Sequence, residues 1–167
     1  MKSGRVALTV FPSVLAIALG LPLARAHTEH PAANPTAQSE AFGRAGVAKD
    51  VARTVTIRTT DAMRFDPATL AVKQGETLRL RIHNDGKLAH EFVLGTQAEI
   101  AEHAEMMRKM PGMVHTDPHS VRVAPGQSGE IVWTFSRPGH FLYACLIPGH
   151  WEAGMQGSVT VSPPVQR

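Results

Sequence analysis

Cys145-Leu146-Ile147-Pro148-Gly149-His150-Trp151-Glu152-Ala153-Gly154-Met155 sets a thiol, an imidazole and a thioether at equal intervals in one short stretch. The apolar run from Phe141 to Cys145 reads as a strand and Pro148-Gly149 as a turn, so the three side chains share one loop and can converge on a point. His90 stands just after the Asp85-Gly86 turn, at the start of another strand-like run, and can bring a second imidazole from a neighbouring strand end. Two His, one Cys and a weak axial Met select copper: thiolate and thioether suit Cu(I), imidazole suits Cu(II), and zinc rarely accepts a thioether. Cys145 is the only cysteine, so it can form no bridge within the chain and needs such an explanation.

Short apolar or β-branched stretches recur on either side of this loop. They run from Val51 to Thr60, Leu78 to Asn84, His90 to Leu94, Val121 to Ala124, Glu130 to Phe135, Phe141 to Cys145 and Gly157 to Val161. Asp66-Pro67, Gln74-Gly75, Asp85-Gly86, Pro125-Gly126 and Pro138-Gly139 punctuate them, and the spacing predicts an all-β antiparallel sandwich rather than alternating strands and helices. One stretch has another period. Ile100, His103, Met106, Met107 and Met110 share a face at three- and four-residue spacing, which predicts a short helical insertion over Gln97 to Met110, ended by Pro111 and Gly112.

Asn84-x5-His90 and Cys145-x4-His150-x4-Met155 resemble the cupredoxin family of type 1 copper proteins, over Val51 to Val161. The resemblance implies a Greek-key β-sandwich holding one copper ion, Cu(I) or Cu(II), under the loops at one end. It makes His90, Cys145 and His150 the equatorial ligands and Met155 the axial one. The binuclear copper site of cytochrome oxidase would need a second cysteine where Gly149 stands, and multicopper oxidases carry His-x-His motifs that this chain lacks. There is one departure: Glu91 occupies the place after the first His ligand, where plastocyanin-like and azurin-like proteins commonly carry Asn. A carboxylate there favours Cu(II) and lowers the reduction potential, whereas Ile147, Pro148 and Trp151 exclude water and act the other way.

Within the family, His90-Glu-Phe-Val-Leu, the Met-bearing insertion and the ligand loop look most like the periplasmic copper-tolerance cupredoxins of the CopI type. The function this implies is copper tolerance and homeostasis, by binding and redox cycling of copper, with a periplasmic redox or copper-handling protein as partner. The alternative is a soluble electron-transfer cupredoxin, with His150 beside Trp151 as the exit. Neither is an enzyme, and an oxidase acting on Cu(I) would need an open coordination position or a second metal centre.

At the N-terminus, Lys2 and Arg5 precede an apolar run from Val6 to Leu23, and Ala24-Arg25-Ala26 offers a signal-peptidase site. Residues 1–26 therefore read as a signal peptide and the protein as exported to the periplasm. The competing reading, a retained membrane anchor, is disfavoured by Pro12, Gly20 and Pro22. Losing Lys2, Arg5 and Arg25 takes the basic count from 17 to 14, level with the 14 acidic residues. With no net charge and no basic run interleaved with aromatics, nucleic-acid binding is excluded. Residues 27–50 lack apolar periodicity and are expected to be a mobile tail, leaving 51–167 as the cupredoxin domain.

Met106, Met107, Met110 and Met113, with His103, His115 and His119, are candidates for a second, Cu(I)-type site, although Met at helical spacing equally serves packing. His27 would become N-terminal on cleavage and could chelate Cu(II) with His30, against the plainer reading of a solvated tail. His83 points outward by period two and His140 follows a turn, and neither is given a role.

Overall fold

Alternation of buried and exposed side chains dictates the architecture of the computed structural model, which describes residues 39–111 and 117–164. Its strands are β1 (Ser39–Glu40), β2 (Gly43–Ala45), β3 (Arg53–Thr60), β4 (Arg64–Asp66), β5 (Thr69–Lys73), β6 (Thr77–Asn84), β7 (His90–Gly95), β8 (Ser120–Val123), β9 (Ser128–Thr134), β10 (Gly139–Ala144) and β11 (Gln156–Ser162). One sheet runs β1-β2-β9-β6-β3-β4 and the other β5-β11-β10-β7-β8. In β6, Leu78, Leu80 and Ile82 are buried while Arg81 faces out, so the period-two pattern is realised as one face on the core.

Each of the expected strands is present, and the structure also departs from the expectations. β5 was not foreseen: it buries only Leu70 and Val72 on its inner face, too short an alternation to stand out beside Pro67 and Gly75. The sheets are mixed rather than antiparallel, because β3 pairs parallel with β6 and β5 parallel with β11. The expected tail also ends sooner than residue 50. Arg44 and Ala45 pair with β9, and Phe42, 1% exposed, stacks on Trp133 with ring centroids 5.0 Å apart. Gly43 permits this: a Cβ there would lie 2.5 Å from Trp133 Nε1. Residues 1–26, expected to be a signal peptide, and residues 27–38 lie outside the described residues.

The insertion is helix α1, Gln97–Lys109, with Met110 as its C-cap. A capping box starts it: Thr96 Oγ1 accepts from the Glu99 N–H at 3.2 Å, and the Glu99 carboxylate accepts from the Thr96 N–H at 2.8 Å. The buried face differs from the one expected. Ile100, Ala104 and Met107 pack against Val93, Ala144 and Leu146, whereas His103 and Met106 are half-buried and Met110 is 45% exposed. Burial of Ile100 and Met107 contributes about 1.5–3 kcal/mol each.

Beneath the loops at the β7 end, Phe92 stacks on Tyr143 at 5.0 Å and Phe65 meets Tyr143 edge-on at 5.3 Å. The Tyr143 hydroxyl donates to the Pro67 carbonyl at 2.6 Å, which satisfies the one polar atom of this buried ring. Burial also raises its phenol pKa above the ordinary value.

Candidate metal centre

Antiparallel pairing places the start of one strand beside the end of its neighbour. β7 and β10 pair in this way, with Val93 opposite Ala144, so His90 at the start of β7 comes close to Cys145 just past the end of β10. The Glu91 N–H donates to Cys145 Sγ at 3.3 Å.

The loop from Cys145 is closed by its own backbone. Its mouth is shut by the Cys145 N–H donating to the Met155 carbonyl at 3.1 Å. Inside, the His150 N–H donates to the Ile147 carbonyl at 3.0 Å and the Met155 N–H to the His150 carbonyl at 3.0 Å. From outside, Arg64 Nη1 donates to the Ala153 carbonyl at 2.9 Å. His150 Nδ1 is thereby brought to 3.3 Å from Cys145 Sγ.

The approach to His90 is held differently, by side chains. Asn84 is fully buried; its Nδ2 donates to the carbonyls of Leu88 at 2.7 Å and Val123 at 3.1 Å, and its Oδ1 accepts from the Gly86 N–H at 2.8 Å. Asp61, in the turn between β3 and β4, accepts from the N–H of Lys87 at 2.8 Å and of Leu88 at 3.1 Å. Those donors, Lys87 first, hold its carboxyl below the usual carboxylate range. Nothing in the sequence marked Asp61 or Arg64; only the strand pairing brings them to the loops.

Ligand-type atoms of His90, Cys145 and His150 lie within 4.8 Å of one another, the one group of His, Cys and acidic residues among those described that could hold a metal. His90 and Cys145 are fully buried and His150 partly exposed, with the two imidazole centroids 5.2 Å apart. His90 Nδ1 is buried without a hydrogen-bond partner, a costly state for a polar atom unless a ligand completes it. Burial pushes the Cys145 thiol up to about 11, although the backbone N–H groups of Glu91 and Ile147 oppose this, so the free thiol keeps its proton at neutral pH. His150 is moved the other way, by burial and then by His90, and stays neutral and ready to donate a lone pair. Met155, also fully buried, lies at the same end of the core as Cys145 and Ile147. The thiol and the two imidazoles together form a largely buried, soft donor set that fits copper.

Glu91 is buried opposite Arg122 of β8, its backbone N–H meets the thiol, and its negative charge also helps to raise the Cys145 pKa. His83 Nδ1 lies 2.8 Å from Ser128 Oγ, and His140 Nδ1 3.2 Å from Thr160 Oγ1. Met107 belongs to the seat of α1, while His103 and Met106 line a surface groove with Glu99 and Glu102. Met113, His115, His27 and His30 lie outside the described residues.

Residues 51–162 match the family of copper binding proteins typified by plastocyanin and azurin, and the chain belongs to it: it is a cupredoxin. Among curated proteins it is similar to the copper-resistant cuproprotein CopI of Rubrivivax gelatinosus, 57% identical over 120 residues that cover 72% of this chain and 73% of that one. It is also similar to CopI of Pseudomonas aeruginosa, 38% identical, with 76% of this chain and 86% of that one covered. Among solved structures, auracyanin B superposes with a TM-score of 0.58 at 25% identity, covering 75% of this chain and 97% of that one. Among the described residues no helix is long and apolar enough to cross a membrane.

Proposed function

We propose that the chain binds one copper ion at a type 1 centre, with His90, Cys145 and His150 as equatorial ligands and Met155 as the axial one, and that it serves copper tolerance in the periplasm. The observation that carries this is the buried, unpartnered His90 Nδ1 beside a thiol whose Sγ is 3.3 Å from His150 Nδ1. The likeness to two proteins named as copper-resistant supports the physiological part. In this reading residues 1–26 are removed on export and 51–167, joined by the strands from Ser39, form the domain.

When bound, the metal supplies one-electron exchange between Cu(I) and Cu(II). The chain's own part is to give up the Cys145 proton, to present two neutral imidazoles and to keep water away with Ile147 and Trp151, which lets one geometry serve both oxidation states. The four donors fill the centre, so the protein acts as a binder and redox participant rather than an enzyme. A second ion near Met106, Met107, Met110 and Met113 draws support from Met106 and His103 in the surface groove, since Met107 is committed to packing.

One observation favours an electron carrier as the second reading: His150 is the partly exposed member of an otherwise buried set, so a redox partner docking over it would find a short path. Copper titration of residues 27–167, with visible spectrum and metal count, tests the centre. A thiolate-to-copper band is expected in the wild type. More than one copper per chain would favour tolerance, and unchanged copper sensitivity of a deletion strain would refute it.

A further inference from the structure

Asp61 comes to the metal centre from a turn that contributes no ligand. The parallel pairing of β3 with β6, Thr59 opposite Asn84, sets the β3–β4 turn beside the loop leading to His90. There the Asp61 carboxylate accepts from two backbone N–H groups, and its Oδ1 also lies 3.4 Å from His90 Nε2, at the long end of the hydrogen-bond range. The approach is built in: a Cβ on Gly86 would overlap Asp61 Oδ1, so the loop can close over the carboxylate only with glycine there.

A neutral imidazole carries its proton on one nitrogen, and the hydrogen bond made by that nitrogen selects which. His90 has an acceptor at Nε2 and none at Nδ1, so the proton belongs on Nε2 and the Nδ1 lone pair is left for a metal. A carboxylate in this place does more than a carbonyl would, because its negative charge favours the more highly charged ion.

We propose that Asp61 is a positioning residue of the copper centre, which fixes the Nε2–H tautomer of His90, ties the loop that carries it and biases the site toward Cu(II). The proposal rests on the ligand assignment above, and the first part of its test needs no copper. In the metal-free protein, 15N NMR of the His90 ring is expected to show Nε2 protonated and Nδ1 bare. Asp61→Ala is expected to lose that preference and to speed hydrogen exchange at the Lys87 and Leu88 amides. Asp61→Asn keeps an acceptor without the charge, so it retains the tautomer, but with copper bound its reduction potential shifts upward. Cu(II) affinity of Asp61→Ala is expected to fall by about 10- to 100-fold. A wild-type tautomer in Asp61→Ala, or a wild-type potential in Asp61→Asn, overturns the proposal. Absence of the thiolate band from the wild type counts against the ligand assignment alone, and the metal-free ring then decides whether Asp61 sets the tautomer.

Discussion

The two loops that frame the centre are built on opposite plans. Cys145 to Met155 is closed by bonds among its own backbone groups, the mouth by Cys145 N–H to the Met155 carbonyl at 3.1 Å. Asn84 to His90 is tied by side chains, one from its own first residue and one from Asp61 in a different part of the chain. A loop closed on itself carries its geometry in a contiguous stretch of sequence and tolerates changes around it. A loop tied from outside depends on single residues whose importance no local pattern announces.

Substitutions separate the two plans. Cys145→Ser is expected to abolish the thiolate-to-copper band completely while leaving the loop's backbone bonds, so its far-ultraviolet circular dichroism should match the wild type. Asn84→Ala removes the buried amide and strands the Leu88 and Val123 carbonyls and the Gly86 N–H; it should cost about 3 kcal/mol in denaturant unfolding. Weakened copper affinity is expected with it, because the His90 loop loosens. Arg64→Ala removes the tie to the Ala153 carbonyl, but the self-closed loop keeps the rest, so the loss should stay near 1 kcal/mol with the spectrum unchanged. An effect of Arg64→Ala as large as that of Asn84→Ala would erase the distinction.

Acid supplies a control outside both loops. Burial pulls the Glu76 carboxyl upward, but Arg53 at 2.7 Å and the Lys73 N–H at 2.9 Å outweigh it and leave its pKa below the ordinary value. A depressed carboxyl contributes stability above its unfolded pKa and loses it as pH falls through the folded one. Lowering the pH below about 4.5 is therefore expected to reduce the melting temperature of the wild type more than that of Glu76→Gln, a small difference readable by calorimetry.

The same contrast explains how much was legible in advance. His90, Cys145, His150 and Met155 stood out as candidates because chemistry and spacing coincide, and the structure brings ligand-type atoms of the first three within 4.8 Å of one another; the long strands were readable because Leu78, Leu80 and Ile82 alternate cleanly. Thr69–Lys73 escaped because two inward residues make too short a pattern, and its partner Gln156–Ser162 lies far along the chain. Phe42 escaped because one aromatic in a polar segment carries no period, although Trp133 gives it a place in the core. The face of α1 was misjudged since His103 and Met106 share the spacing of Ile100 and Met107; which neighbours turn inward depends on the sheet that the helix meets. Asp61 and Arg64 were invisible for the reason given above, that strand register rather than sequence brings them to their loops.

The parallel pairings of β3 with β6 and β5 with β11 also impose an order in time. Contacts between distant parts of a chain form late because their loops must close first, whereas Cys145 and His150 are near neighbours in sequence. Cys145 and His150 are thus close together before the sandwich exists, and His90 joins them only when β7 docks on β10. The buried cluster is a late product of folding, assembled from a local half and a distant one.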